Sequence, residues 1–350
     1  MELNRHALLG KLELLMPGID KKGIAENTSS FIFDGERIYT YNDTIGVAVN
    51  FTTGLQCAVP AQSLYRLLSK LPDEAVEVAL LEGALKIKGK KSRATVKVVE
   101  GAVLPFDDKV TKARDATAMP AKSSFNKAVQ FCLFTTNRHT QEQVMGCVHI
   151  ASDKKGTYAE STDSTRMTRY YFTTEVMPLD ILIPLAAAQS IIKYEVESIA
   201  EAEGWLVFNC KGDTTFATWT VAATFPNLKK AIASFGEVQS EIVLPPGIIE
   251  TLERAEIFAQ ADTKVDQDVY IVFTVNDGKM KISSSGVYGK FTETVDVEYT
   301  GAEVSFALPP LFVRDILRIV TSIQVLDGVV RCAKKRFFHY AGIIESGEGE

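Results

Sequence analysis

The stretch Val59-Pro60-Ala61-Gln62-Ser63-Leu64-Tyr65-Arg66-Leu67-Leu68-Ser69-Lys70-Leu71 decides how the rest of the chain is read. Leu64, Leu67, Leu68 and Leu71 fall at i, i+3, i+4 and i+7, one face of a helix, while Arg66 and Lys70 project from the other side. Pro60 suits a first helical turn, where a missing N–H is no loss. The same proline-led start recurs at Met119-Pro120, Ile183-Pro184, Leu244-Pro245 and Leu308-Pro309, so successive prolines stand 60, 64, 61 and 64 residues apart. A helix-like segment from Leu3 to Leu15 extends the series back by one period. Six glycines in predicted hairpin turns keep a longer beat. Gly35, Gly156 and Gly278 are spaced by 121 and 122 residues, and Gly83, Gly204 and Gly328 by 121 and 124. Self-similarity at a fixed period marks a repeat architecture. It divides the 350 residues into three related domains of two related halves each, with expected boundaries 1–116, 117–237 and 238–350.

Each half opens with a helix and continues as strands. The third helix carries an apolar stripe of Phe125, Ala128, Val129 and Cys132, with Lys122 and Lys127 off it. The last repeats the plan with Val313, Ile316, Leu317 and Val320 on one face and Arg314 and Arg318 leaning away. Between the helices, SSFIFDGERIYTYND turns at Asp34-Gly35, EVALLEGALKIKG at Glu82-Gly83 and VFTVNDGKMKIS at Asn276-Asp277-Gly278, all hairpin signals. A second corner recurs at Asn42-Asp43-Thr44, Thr162-Asp163-Ser164 and Ser283-Ser284-Ser285, with Asp43 and Asp163 120 residues apart. The pattern predicts an α+β protein whose amphipathic helices lie on antiparallel sheets and turn their polar faces outward together.

Composition narrows the function classes. Hydrophobic residues make up 46% and charged residues 23%, an ordinary globular mix. No apolar run approaches the roughly 18 residues of a membrane span, and the opening MELNRHALLGK does not read as a signal peptide. Five scattered cysteines without a CxxC pair fit reduced thiols, and the expected location is the cytoplasm. The four histidines (His6, His139, His149, His339) show no metal-ligand spacing, and no nucleophile elbow or phosphate-cradling loop is present. An enzyme is therefore not expected, and neither is a metal or a cofactor. The net charge of -6 excludes a simple polyanion binder, yet the helical segments together hold 11 Lys/Arg against 7 Asp/Glu. A mildly basic helical surface on an acidic protein could track a phosphate backbone and stay mobile, or could simply be a solvated face. The closing ESGEGE reads as a frayed acidic tail.

Five segments in order then carry a resemblance. They are Leu104-Pro105-Phe106-Asp107-Asp108, the corner ESTDSTRM (Glu160 to Met167), Thr224-Phe225-Pro226, Arg254-Ala255-Glu256-Ile257-Phe258, and Tyr299-Thr300-Gly301-Ala302-Glu303 followed by PPLFVRDIL. Together they resemble the bacterial type of DNA sliding clamp, the beta subunit of the replicative polymerase. The resemblance implies three tandem duplicated clamp domains, with two chains closing head to tail into a six-domain ring around duplex DNA. It implies a processivity factor with no catalytic residues, which tethers the polymerase and is placed on DNA by a loader.

Carried over position by position, the channel would use Lys21, Lys22, Arg66, Lys70, Lys122, Lys127, Lys193, Arg254, Arg314 and Arg318. The fifth helix departs from the pattern, since Glu250, Glu253 and Glu256 outnumber Arg254. A groove for short partner peptides would use Val144, Thr162, Ser164, Thr165, Arg166, Met167, Pro226 and Ile343. Ser164 and Thr165 stand where the family usually has glycine and a larger polar residue. Ring closure would set Leu104 and Phe106 against Ile257 and Phe258, with Lys70 facing Glu293. The rival reading is a clamp-fold monomer that serves as an interaction scaffold. A two-domain, trimeric clamp would need a chain one domain shorter.

Overall fold

The computed structural model describes residues 1–20, 27–100, 102–110, 113–136, 142–259, 269–286, 289–317 and 319–344. The first third runs β1 (Glu2–Asn4), α1 (Arg5–Leu15), β2 (Ser30–Asp34), β3 (Arg37–Tyr41), β4 (Ile45–Asn50), β5 (Gln56–Pro60), α2 (Ala61–Lys70), β6 (Ala75–Leu81), β7 (Ala84–Lys88), β8 (Arg93–Lys97), β9 (Val99–Glu100), α3 (Phe106–Val110) and β10 (Arg114–Ala118). The middle runs α4 (Phe125–Cys132), β11 (Cys147–Asp153), β12 (Gly156–Thr162), β13 (Arg166–Thr173), β14 (Ile181–Pro184), α5 (Leu185–Ile191), β15 (Val196–Ala202), β16 (Trp205–Cys210) and β17 (Thr214–Trp219). The last third runs α6 (Leu228–Ser234), β18 (Ser240–Val243), α7 (Ile248–Phe258), β19 (Ile271–Asn276), β20 (Lys279–Gly286), β21 (Gly289–Asp296), β22 (Val304–Leu308), α8 (Pro310–Leu317), β23 (Ser322–Leu326), β24 (Val329–Lys334) and β25 (Phe337–Gly342). The fold is α+β, with antiparallel sheets and short helices, as the sequence pattern predicts.

The helix cues explain most starts and fail at two. Pro60 and Pro184 sit directly before α2 and α5, and Pro310 is the first residue of α8. In α2, Ala61, Leu64 and Leu68 are buried, while Lys70 in the last turn complements the negative helix end. By contrast α4 begins five residues after Pro120, where the Ser123 hydroxyl accepts from the Phe125 N–H at 3.2 Å. It ends at Cys132 and passes into a 3-10 turn. In α7 the helix waits for Gly247, which takes a left-handed φ of 83° at the N-cap. Hairpin turns are more faithful: Gly35, Gly83, Gly156, Gly204, Gly278 and Gly328 all have φ between 65° and 135°, a region only glycine enters cheaply.

The chain forms two compact units. Unit 1 comprises residues 1–127, 150–152 and 175–223, and contains one sheet in the order β1-β6-β7-β8 and another in the order β10-β15-β16-β17-β4-β3-β2-β5-β9. The longer sheet is continuous because β17 pairs with β4, from Thr214↔Val49 to Thr218↔Ile45. Its core holds Ile32, Tyr39, Tyr41, Phe106, Trp205 and Val207.

Unit 2 comprises residues 128–149, 153–174 and 224–350. There β13 pairs with β25, so the strands run in the order β12-β13-β25-β24-β23-β18, and a separate sheet runs β21-β20-β19-β22. Its core is built on Phe273, Phe306, Phe337 and Ile316. The segment after Ala223 lies over the other face of β13 and β25. Phe225 stacks on His149 at 4.6 Å, and Phe235 packs on Tyr340 at 5.5 Å. That face holds a buried ion pair in which the Arg169 Nε donates to Glu160 at 2.8 Å, with His149 Nδ1 2.9 Å from the second Glu160 oxygen. A buried charge of this kind is tolerable only when paired and hydrogen-bonded.

Among the described residues no helix is long and apolar enough to cross a membrane, and no group of His, Cys, Asp and Glu could hold a metal ion. All five cysteines are free and buried.

Candidate functional site

The recurring corner proves to be a local hydrogen-bond device at its first two occurrences, whereas Ser283-Ser284-Ser285 is no corner but lies inside β20, paired with β21. In unit 2, Asp163 Oδ1 accepts from the Thr165 N–H (3.1 Å), the Thr165 hydroxyl (2.8 Å) and the Arg166 N–H (3.0 Å). In unit 1, Asn42 Oδ1 accepts from the Thr44 N–H (3.2 Å), the Thr44 hydroxyl (2.9 Å) and the Ile45 N–H (2.8 Å). The structural partner of Asp163 is thus Asn42 rather than Asp43, which corrects the sequence alignment of the two aspartates by one residue. The positions after them, Asp43 and Ser164, both take left-handed φ values of 67° and 79°. That conformation is why glycine suits this place, and Ser164 holds it at a cost of about 1–3 kcal/mol.

Unit 2 places Thr162, Ser164, Thr165, Arg166 and Met167 at this corner. Thr162 is buried and its hydroxyl donates to the Arg166 carbonyl at 2.8 Å. Ser164 and Thr165 are exposed, while Arg166 and Met167 are half-buried. Arg166 is held from two sides, by Asp163 Oδ2 at 2.7 Å and by the Phe312 ring, whose centroid lies 3.8 Å from the guanidinium carbon. Residues 166 and 167 pair with Ala341 and Tyr340, and the Gly342 N–H donates to the Thr165 carbonyl at 2.8 Å, which sets Ile343 beside the corner. Val144 lies half-buried in a 3-10 turn (Gln143–Gly146), and Pro226 is half-buried after Phe225. Sequence reasoning missed Phe312, although the aromatic stands in the PPLFVRDIL segment that carries part of the resemblance.

The channel candidates divide into three groups. Arg66 and Lys70 on α2, Lys122 in the turn before α4, Lys127 on α4 and Lys193 after α5 are exposed. Arg254 on α7 is exposed but committed: its Nε and Nη2 donate to the two Glu293 oxygens at 2.9 and 2.7 Å. The hydrogen bond to Arg254 holds the Glu293 carboxyl below its ordinary range, so the pair is neutral as a unit. Arg314 lies in α8, and Lys21, Lys22 and Arg318 lie outside the described residues.

The ring-closure candidates are not equivalent. Leu104 and Phe106 are 8% and 1% exposed and pack in the core of unit 1, where Phe106 stacks on Tyr39 at 5.9 Å. A ring enclosed by its own chain does not present itself to a second one. In unit 2, Ile257 is 59% exposed, and Phe258 is half-buried with its ring stacked on Phe291 at 5.9 Å. Glu293 answers Arg254 and the Thr251 hydroxyl within its own chain, so both of its oxygens are already engaged.

The free sheet edges were not read from the sequence. β8 ends its sheet in unit 1 and β21 ends its sheet in unit 2, so each has one side without a strand partner among the described residues. The signal was there: Ala75 to Lys97 holds six Lys/Arg against two Asp/Glu, and Ile271 to Leu308 holds three against five.

No family model matches the sequence, and no curated relative matches it. Solved structures do match its fold. The DNA polymerase III beta subunit of Thermotoga maritima superposes with a TM-score of 0.83 at 18% identity, covering 99% of both chains. The beta chain from Streptococcus pneumoniae TIGR4 gives 0.85 at 14% identity and 99% coverage of both. The DNA polymerase sliding clamp from Bacillus subtilis gives 0.82 at 14% identity, again over 99% of both. The chain therefore has the sliding-clamp fold from one end to the other.

Proposed function

We propose that this protein is a DNA sliding clamp, a non-enzymatic processivity factor that encircles duplex DNA as a head-to-tail homodimer. The observation that carries this reading is the full-length fold match to bacterial clamps, 99% of each chain at TM-scores of 0.82 to 0.85. In the proposal the three domains are 1–116, 117–237 and 238–350. Exposed Arg66, Lys70, Lys122, Lys127 and Lys193 make weak phosphate contacts, which fix no sequence and permit sliding. The Asp163–Arg166 corner, with Met167, Pro226, Val144, Ile343 and Phe312, receives short peptides of the polymerase and the loader. Two copies join by adding edge β8 of the basic sheet to edge β21 of the acidic sheet of the next, with exposed Ile257 beside the seam. Backbone pairing of free edges is a general route to strand addition.

Topology tests this directly. Linear duplex DNA is circularised by ligase in the presence of the protein and washed at high salt. An encircling clamp is retained on circles and released when they are cut. Equal loss from circles and linear DNA would contradict it. The second reading, a clamp-fold monomeric scaffold, is favoured by the neutralised Arg254 and the acidic α7; it expects no retention and a monomeric mass.

A further inference from the structure

One end of the unit 2 sheet carries cations that neither the helices nor the groove uses. The turn between β11 and β12 bears Lys154 and Lys155, and the turn between β24 and β25 bears Lys334, Lys335 and Arg336, all five exposed. The strand order β12-β13-β25 sets β12 and β25, which lead out of the two turns, about 10 Å apart, two strand spacings. They are tied to each other through Tyr171: its N–H donates to the Arg336 carbonyl at 3.0 Å and its hydroxyl to Asp153 Oδ2 at 2.7 Å. Asp153 is the acidic group within these turns, and its other oxygen already accepts from the Lys155 N–H at 2.8 Å.

Among the described residues, ion pairs take up Arg37, Lys86, Lys88, Arg166, Arg169, Lys211 and Arg254, but none of these five. Lys334 Nζ donates to the Ile319 carbonyl at 3.1 Å, which leaves its charge uncompensated. A second observation points the same way. Further along β24, Arg331 lies over the Phe338 ring at 5.8 Å, and its buried Nε has no hydrogen-bond partner. Five exposed cations without an ion pair among the described residues, on a chain of net charge -6, form a local positive surface.

We propose that this rim is a second nucleic-acid contact, which grips the phosphate backbone independently of the helix cations. Over 10 Å, one strand of duplex DNA presents about three phosphate charges, one per ~3.4 Å, within reach of a row of long cationic side chains on protruding turns. An acidic peptide would want a groove to seat its backbone, and hairpin tips offer none.

The test compares three proteins on one 30-base-pair duplex, by fluorescence anisotropy across a salt series. They are wild type, a rim variant (Lys154→Ala, Lys155→Ala, Lys334→Ala, Lys335→Ala, Arg336→Ala) and a helix variant (Arg66→Ala, Lys70→Ala, Lys122→Ala, Lys127→Ala). Unchanged thermal melting checks that both variants fold; a variant that melts early is replaced by its lysine-to-glutamine counterpart. The rim variant is expected to bind at least tenfold more weakly near 0.1 M salt, with a salt slope shallower by about 0.9 for each phosphate that is no longer neutralised. If the rim variant keeps the wild-type affinity and slope while the helix variant loses both, the rim is not a nucleic-acid surface and the clamp reading stands. Weaker binding by the rim variant with no change in the helix variant would uphold the rim and remove the channel assignment.

Discussion

The two small sheets of the molecule share an architecture and differ in charge. In unit 1, β6, β7 and β8 alternate buried and exposed residues, with Arg93, Thr95 and Lys97 outward on the free strand. In unit 2, β19, β20 and β21 do the same, with Lys290, Thr292, Thr294 and Asp296 outward and Glu293 turned to α7. Six cations against two anions on the first, and three against five on the second, give the two sheets opposite net charge. Identical edges would invite indiscriminate pairing; opposite ones favour a heterologous contact that closes after a defined number of copies.

The most severe way to break this comparison is to reverse one side. Lys90→Glu, Lys91→Glu, Arg93→Glu and Lys97→Glu together should weaken self-association at least a hundredfold by analytical ultracentrifugation. Adding Asp296→Lys, Glu298→Lys and Glu303→Lys to the same chain should restore much of it, and no rescue would mean that charge does not select the partner.

Next in size is a contrast between buried and exposed apolar residues. Phe106→Asp should cost several kcal/mol of folding stability, because it puts a charge at a fully enclosed site. Ile257→Asp should leave the melting temperature of the monomer within a few degrees and shift only the dimer equilibrium. Reversal of those two outcomes, read by calorimetry and sedimentation, would place the seam elsewhere.

A smaller effect sharpens the role of the acidic side. Glu293→Gln should release Arg254, raise duplex affinity a few-fold and steepen the salt slope by about 0.9. The pH dependence has a definite sign. The Glu293 pKa is lowered in the folded state by the Arg254 hydrogen bond. The stabilisation is therefore complete above the ordinary glutamate range, near 4.3, and is lost as pH falls through the lowered value. An acid titration followed by circular dichroism should show wild type and Glu293→Gln converging only below that range.

The smallest expected change in the fold, with a large one in binding, belongs to the corner. Met167→Glu should abolish binding of a polymerase C-terminal peptide while the melting temperature moves little, since Met167 is half-buried. Unchanged peptide affinity would remove it from the groove.

Much of this was legible in the sequence because repeats average out local ambiguity. The six hairpin glycines were found by spacing and all adopt the left-handed backbone that explains them. The α2 stripe was read from four leucines, of which Leu64 and Leu68 are fully buried. What failed turned on contacts that residue type and spacing alone do not show. Pro120 and Pro245 foretold helix starts that a serine cap and Gly247 instead determine. Asp43 seemed the counterpart of Asp163 by residue type, whereas the hydrogen-bond pattern picks Asn42. Arg254 looked like a free cation until β21 placed Glu293 against it, 39 residues away. Phe106 looked like an interface anchor because no linear pattern reveals Tyr39 beneath it.

The central claim is that this chain closes a ring with a second copy of itself. Negative-stain electron microscopy of the purified protein at micromolar concentration, with class averaging, tests it most directly. Closed rings of six similar lobes are the predicted result. Isolated three-lobed crescents, with and without duplex DNA present, would contradict it.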